Sequence, residues 1–87
     1  MYILTFDEEW DEYFDDLPPD IKVRVLKKLK QIKEGLPGRH MEHGLPIFVE
    51  EIGQYRICYI QDDKNKTRKI YFAGKHKDYD KWLKGFR

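Results

Sequence analysis

Two strand-forming runs that flank a short polar turn constrain the fold of this chain more than any other feature. The first run, at residues 53–60, is Gly-Gln-Tyr-Arg-Ile-Cys-Tyr-Ile, and the second is Arg-Lys-Ile-Tyr-Phe-Ala-Gly-Lys-His at 68–76. Both are rich in β-branched and aromatic residues, which favour strands. The run between them supplies Asp, Lys and Asn, so the pattern predicts a β-hairpin.

The first of these strands places an arginine on the face opposite a predicted core. Because strand side chains alternate, Tyr55, Ile57 and Tyr59 should point to one side, and Arg56, Cys58 and Ile60 to the other. The second strand leads through Gly74 into Lys-His-Lys-Asp-Tyr at 75–79, which brings basic, imidazole and phenol groups to one end of the sheet. The sheet face from which Arg56 projects should be a concave, polar surface, and functional sites usually occupy concave surfaces.

Composition limits the class of protein. The 87 residues predict one domain, residues 1–87, with a single modest core. Cys58 is the sole cysteine, so no intramolecular disulfide is possible. No apolar run approaches the roughly 20 residues of a membrane span, and the N-terminus lacks the basic and apolar regions of a signal peptide. We therefore expect a cytoplasmic protein without a membrane partner.

Charge is unevenly distributed although the net charge is only +1. Residues 1–20 contain eight acidic and no basic residues, whereas residues 64–87 contain nine basic and two acidic ones. A basic half can attract nucleic acid phosphates. Alternatively, the acidic and basic segments neutralise each other within the fold.

The remaining patterns predict further strands and helices. Residues 1–5 predict a strand, and Thr-Phe-Asp-Glu at 5–8 has the spacing of a capping box, so a helix should begin there and end at Pro18 and Pro19. A second helix from Pro19 or Asp20 should end at Gly35. Residues 47–52 predict a strand, and Asp78 is a candidate N-cap for a terminal helix. The apolar stripes of the three helices are Phe6, Trp10, Tyr13, Phe14 and Leu17; Ile21, Val25, Leu29 and Ile32; and Tyr79, Trp82, Leu83 and Phe86.

These elements predict an α+β fold with the order β-α-α-β-β-β-α. The last three strands should form an antiparallel meander because their connections are short. The two helices before them should form a helical hairpin that covers one face of the sheet.

The segment at 36–44 is predicted to be a loop that contains Arg39, His40, Glu42 and His43. Two histidines three residues apart beside a glutamate could begin a metal site, but no third or fourth ligand is evident, and solvated loop histidines are the alternative. The sequence therefore predicts no metal site and no cofactor.

Two motifs and the order of the elements resemble the RelE/ParE superfamily of small toxins from type II toxin–antitoxin modules. The motifs are Gly-Gln-Tyr-Arg-Ile-Cys-Tyr at 53–59 and Gly-Lys-His-Lys-Asp-Tyr at 74–79, and the Pro-Pro break between the helices also matches. The resemblance covers nearly the whole chain. It implies a RelE-like fold, a small curved sheet with a helical hairpin on one side.

The resemblance also implies a function. RelE-like members are mRNA interferases, endoribonucleases that cut mRNA in the ribosomal A site and inhibit translation, whereas ParE-like members inhibit DNA gyrase. Family members are held inactive by a cognate antitoxin. We therefore expect a metal-independent endoribonuclease; the alternatives are a non-catalytic gyrase inhibitor, or an inactive member that only binds an antitoxin.

Candidate catalytic residues follow from the chemistry of RNA cleavage by the 2′-hydroxyl, which needs proton transfer and stabilisation of the phosphorane. Arg56 suits phosphate, because guanidinium binds it bidentately. His76 suits proton transfer, and Tyr79 matches the family's nearby aromatic position. The expected RNA-binding residues are Lys75, Lys77, Trp82, Arg39 and His40.

Each assignment has a structural alternative. Instead of binding phosphate, Arg56 can pair with Glu50 or Glu51 across the sheet, and His76 can cap the end of the sheet or be solvated. Tyr79 and Trp82 can instead dock the last helix on the sheet. The best-known ribonuclease members carry lysines on the strand where this chain has Glu50 and Glu51. Lys75 and Lys77, or Arg39 and His40, could supply that positive charge instead, and a carboxylate could serve as the base.

Overall fold

A computed structural model describes residues 1–37, 39–40 and 47–86, with only the backbone described for Arg39, His40 and Phe86. Its elements are β1 (Ile3–Phe6), α1 (Trp10–Asp15), α2 (Pro19–Glu34), β2 (Arg39–His40), β3 (Ile47–Ile52), β4 (Tyr55–Asp62), β5 (Thr67–Lys75) and α3 (His76–Phe86). The predicted order is confirmed, with the two-residue β2 added inside the predicted loop. None of the helices described is long and apolar enough to cross a membrane.

The strands form one mixed sheet in the order β1-β5-β4-β3-β2. The pairs from β2 to β5 are antiparallel, which confirms the meander, and β1 pairs with β5 in parallel. Ile52 pairs with Tyr55, so the β3–β4 turn contains only Gly53 and Gln54. Gly53 has a φ of +58°, a left-handed conformation that glycine adopts without steric cost.

An irregularity in the central hairpin bends the sheet. Cys58 pairs with Phe72 whereas the next residue, Tyr59, pairs with Ile70, so Tyr71 is an extra residue in β5. Such β-bulges bend the strand and increase its local twist.

The helical hairpin covers one face of this sheet, as predicted. The apolar stripe of α2 is buried, and it packs with Ile57 and Tyr59 of β4 in the first core. Gly35 ends α2 in the left-handed conformation at φ +106°, which confirms its predicted role. The predicted capping box is wrong, because Thr5 and Phe6 continue β1 beside β5 and α1 begins only at Trp10.

A second core lies on the opposite face, under α3. Cys58 and Phe72 pack there with Tyr79 and Leu83 of α3. The face opposite the helical hairpin is therefore largely covered among the described residues, and a cleft lined by Arg56 opens at one end of it. The predicted N-cap at Asp78 is also wrong, because β5 leads directly into α3 at His76.

Arg68 of β5 is the one charged residue that is buried within the described part of the chain, at 3% exposure. Its Nη1 donates to the carbonyl oxygens of Ile32 (2.9 Å) and Leu36 (2.7 Å), and its Nε donates to Oε1 of Gln61 (2.9 Å). Arg68 thus binds carbonyl groups at the C-terminal end of α2, where a cation is electrostatically favoured.

Candidate active site

The β3–β4 turn and the junction between β5 and α3 form a cleft of about 500 Å³ at one end of the sheet. Strand register explains why this cleft is charged: in β4, Arg56 pairs with Glu51 on one side and Gly74 on the other, and Tyr55 pairs with Lys75. The residues that line the cleft are Glu51, Gly53, Gln54, Arg56, Lys75, His76 and Lys77.

Arg56 occupies the inner wall of this cleft. Its Nη2 lies 3.6 Å from Oε1 of Glu51, and its side chain is 20% exposed, whereas that of Glu51 is 49% exposed. The guanidinium carbon lies 4.9 Å from the centroid of the Tyr79 ring, a distance typical of a cation–π contact. Glu51 and the Tyr79 ring therefore orient the guanidinium. A phosphate bound in the cleft would compete with the Glu51 carboxylate for it.

His76 lies at the first residue of α3, on the outer side of the cleft. Its side chain is 61% exposed, and Nε2 lies 3.9 Å from Oδ2 of Asp80, one turn further along the helix. The backbone N–H of His76 donates to the carbonyl oxygen of Gln54 (3.3 Å), which ties α3 to the β3–β4 turn. The imidazole is thus held near Arg56 by the backbone and remains accessible to a ligand.

The electrostatics of the cleft favour an anion. Arg56, Lys75 and Lys77 contribute three positive charges against the single carboxylate of Glu51, before His76 is counted. Cationic and imidazole groups beside a carboxylate are suited to binding a phosphodiester and to moving protons on and off its oxygens.

The structure places Tyr79 behind Arg56 and not in the cleft. Tyr79 is 2% exposed and belongs to the second core. Burial raises the pKa of its hydroxyl above the ordinary value, an effect that the charge of Arg56 opposes. Tyr79 therefore supports the guanidinium of Arg56 and does not itself line the cleft.

Trp82 lies away from this cleft, on the other side of α3. Its ring stacks on Phe72 at 5.3 Å with an interplanar angle of 20°. It lines a second cleft of about 570 Å³, which lies between α1 and α3 and has Lys75 in its wall as well. Trp82 therefore packs on Phe72 and does not line the cleft that contains Arg56. Its RNA-binding role stays a prediction.

The other predicted site residues fall in or near the segment of the predicted loop. Arg39 and His40 form β2 at the sheet edge opposite β1, paired with Val49 and Phe48, and their side chains are not described. Glu42 and His43 lie outside the described residues. Within the described part of the chain, no three His, Cys, Asp or Glu residues are grouped closely enough to hold a metal.

The sequence alone did not decide which of Glu50 and Glu51 lies beside Arg56, although alternation along the strand places the two on opposite faces. Glu51 lies on the same face as Arg56 because the two are directly paired. Glu50 lies on the other face, where its Oε2 accepts a hydrogen bond from the Tyr59 hydroxyl (3.4 Å). The alternative interpretation of Arg56, an ion pair across the sheet, is therefore confirmed with Glu51 as its partner. Gln54, which holds the backbone of His76, was also missed.

Comparison with known proteins identifies the fold. Neither a model of a known protein family nor a curated protein matches the sequence. Among solved structures, the isolated Escherichia coli RelE toxin is 21% identical over 100% of both chains with a TM-score of 0.75. A chain of the intact E. coli RelBE toxin–antitoxin complex is 23% identical, covering 86% of this chain and 96% of that one, with a TM-score of 0.75. A chain of the Mycobacterium tuberculosis RelBE2 complex is 22% identical, with coverage of 86% and 98% and a TM-score of 0.75. The chain therefore has the RelE-like fold that its motifs predicted.

Proposed function

On the basis of its RelE-like fold and its charged cleft, we propose that this protein is the toxin of a toxin–antitoxin module and that it cleaves mRNA on the ribosome. The observation that carries the proposal is the convergence of Glu51, Arg56 and His76 on one cleft, with Lys75 and Lys77 at its rim. Structures with the same fold include toxins in complex with antitoxins, which supports a cognate antitoxin as the partner that restrains this protein.

The proposed reaction uses the 2′-hydroxyl of the RNA as the nucleophile. Glu51 accepts the proton of this hydroxyl while O2′ forms a bond to phosphorus, and the bond from phosphorus to O5′ breaks. His76, in its protonated form, donates a proton to the departing O5′. The products are a 2′,3′-cyclic phosphate and a 5′-hydroxyl, and atoms and charges balance without a co-reactant.

Arg56 stabilises the charge that develops on the phosphorane. Its guanidinium is a fixed, planar donor that remains protonated, and the Tyr79 ring holds it in place. Its pairing with Glu51 at 3.6 Å brings the base and the phosphate-binding group to the same side of the cleft. Lys75 and Lys77 supply further positive charge where the RNA backbone enters.

Cleavage of ribosome-bound mRNA, measured by primer extension with purified protein, tests the proposal. We expect Arg56→Ala to lower the rate about 10²–10³-fold, as loss of an electrostatic transition-state contact does. His76→Gln and Glu51→Gln should each lower it about 10²–10⁴-fold, because each removes a proton-transfer group. The matched control is Lys64→Gln, an exposed charge in the β4–β5 turn, which should leave the rate unchanged.

The pH profile separates chemistry from binding. If Glu51 and His76 are the base and the acid, each Gln variant should lose one limb of a bell-shaped profile. Wild-type rates in either Gln variant would remove that residue from the reaction. A wild-type protein that leaves mRNA intact but inhibits purified gyrase would replace this proposal with the ParE-like alternative.

A further inference from the structure

A second basic groove, of about 350 Å³, lies beside the first cleft, between α2 and the end of β3. Its lining on α2 has helical spacing along one face, and the residues are Arg24, Lys27, Lys28 and Gln31. Glu51 and Ile52 of β3 complete it. The groove therefore contains three positive charges and a single carboxylate.

The groove adjoins the first cleft. Glu51 lines both of them. Gly53, in the turn that borders the first cleft, lies against the guanidinium of Arg24, since a Cβ on Gly53 would be 3.6 Å from Nη1 of Arg24. Basic side chains thus lie on both sides of the β3–β4 turn, with Lys75 and Lys77 in the first cleft and Arg24 on α2 beside Gly53.

We propose that an RNA strand bound in the first cleft continues across the β3–β4 turn into this groove, where Arg24, Lys27 and Lys28 bind its phosphates. The inference rests on the proposed function, because it extends the strand whose phosphate Arg56 binds. It adds a binding surface whose cationic side chains, on α2, take no part in the reaction.

The lining of the groove indicates what part of the RNA it binds. Its described residues include no aromatic side chain on which a base could stack, whereas long cationic side chains are suited to phosphate oxygens. Contacts of this kind position a strand without reading its sequence. The α2 groove should therefore increase affinity equally for all sequences and make it more dependent on salt.

Binding of two uncleavable 2′-O-methyl oligonucleotides, a trinucleotide and a nonanucleotide, tests this proposal across a range of salt concentrations. The test variant is Lys27→Gln/Lys28→Gln. The matched control is Lys30→Gln/Lys33→Gln, which removes the same charge from exposed positions of α2 that do not line the groove. Circular dichroism melts confirm that both variants fold.

The expected result is a loss confined to the longer RNA. For the nonanucleotide, the test variant should lower the slope of log K against log salt by about 1.4, or about 0.7 for each lost phosphate contact. Affinity near 0.1 M salt should fall on the order of tenfold. The trinucleotide should bind the test variant as tightly as it binds wild type. The single substitution Arg24→Gln should lower the slope for the nonanucleotide by about 0.7, half as much as the double variant.

Several outcomes would overturn the inference. One is an equal loss of RNA affinity in the test and control variants, and another is an equal salt slope for the two oligonucleotides. A third is binding of a Glu-rich peptide, but not of RNA, that depends on Lys27 and Lys28, because the groove would then be a protein interface. Failure of the proposed function would look different from failure of the groove inference. In that case the wild-type protein would not cleave RNA, and Arg56→Ala would not change the affinity for the trinucleotide.

Discussion

Replacement of Arg68 by alanine should destabilise this protein more than most surface changes, although the sequence places Arg68 in a segment that resembles a basic binding surface. The side chain is 3% exposed and donates to two carbonyl oxygens at the end of α2 and to Gln61. The guanidinium carbon also lies 4.2 Å from the Tyr2 ring centroid and 5.0 Å from that of Tyr59.

The magnitude follows from these contacts. Hydrogen bonds from a charged donor contribute about 1.5–3 kcal/mol each, and Arg68 makes two of them to carbonyl oxygens at the end of α2. The Ile32 carbonyl keeps the hydrogen bond that it accepts from the Gly35 N–H (3.2 Å), and the partly buried Leu36 carbonyl can regain one from water. The cost is therefore the loss of the two charge-assisted hydrogen bonds and of the packing of the guanidinium. We therefore expect Arg68→Ala to cost about 3–5 kcal/mol, a large part of the roughly 5–15 kcal/mol that stabilises a domain.

Urea denaturation followed by circular dichroism measures this cost. Lys69→Ala, at an exposed position of the same strand, is the control and should change the free energy of unfolding by about 0.5 kcal/mol or less. Arg68→Lys keeps the charge but cannot reproduce the planar fork, so it should fall between the two. A loss below about 1 kcal/mol in Arg68→Ala would refute the reasoning that this cation holds the end of α2.

Three further predictions concern the cores and the edge of the cleft. Leu29→Ala should cost about 2–5 kcal/mol in urea denaturation, because Leu29 is buried under the sheet; a cost near zero would show that the α2 stripe is exposed. Gly74→Ala should both destabilise the protein and slow cleavage, since its Cβ would lie 2.7 Å from Cζ of Phe72, a ring packed under α3; an unchanged melting temperature would contradict that close approach. The Cys58 thiol, whose pKa burial raises, should resist iodoacetamide at pH 8 in the native state and react once urea unfolds the chain; rapid native labelling would show that α3 does not cover it.

Alkaline titration gives a test of the first core. Burial raises the pKa of Tyr59 to about 12, above the roughly 10 of an unfolded tyrosine. The folded state therefore favours the neutral phenol, so this contribution to stability is complete below about pH 10 and is lost as the pH rises towards 12. Tyr59→Phe should flatten that part of the pH–stability curve, and an unaltered curve would assign the alkaline loss to other groups.

Local patterns in the sequence determined most of the secondary structure. The central hairpin, the buried stripe of α2 and the stop at Gly35 depend on residues that are near each other in the chain, so periodicity and turn chemistry suffice to predict them. The capping box failed for a tertiary reason. Pairing of Thr5 and Phe6 with β5 extends β1, and a distant strand can override a local capping signal.

The sequence by itself also singled out Arg56 and His76, because a mid-strand arginine and a histidine after the last strand are visible as residue types in a pattern. Only the tertiary structure decided what surrounds them. Strand register placed Glu51, and not Glu50, beside Arg56, while docking of α3 turned Tyr79 into a buried support. The same folding turned Arg68 inward and left Lys27 and Lys28 along a groove. Burial and register are sums over contacts between residues far apart in the chain, so the chemistry of a charged side chain is known only when its neighbours are.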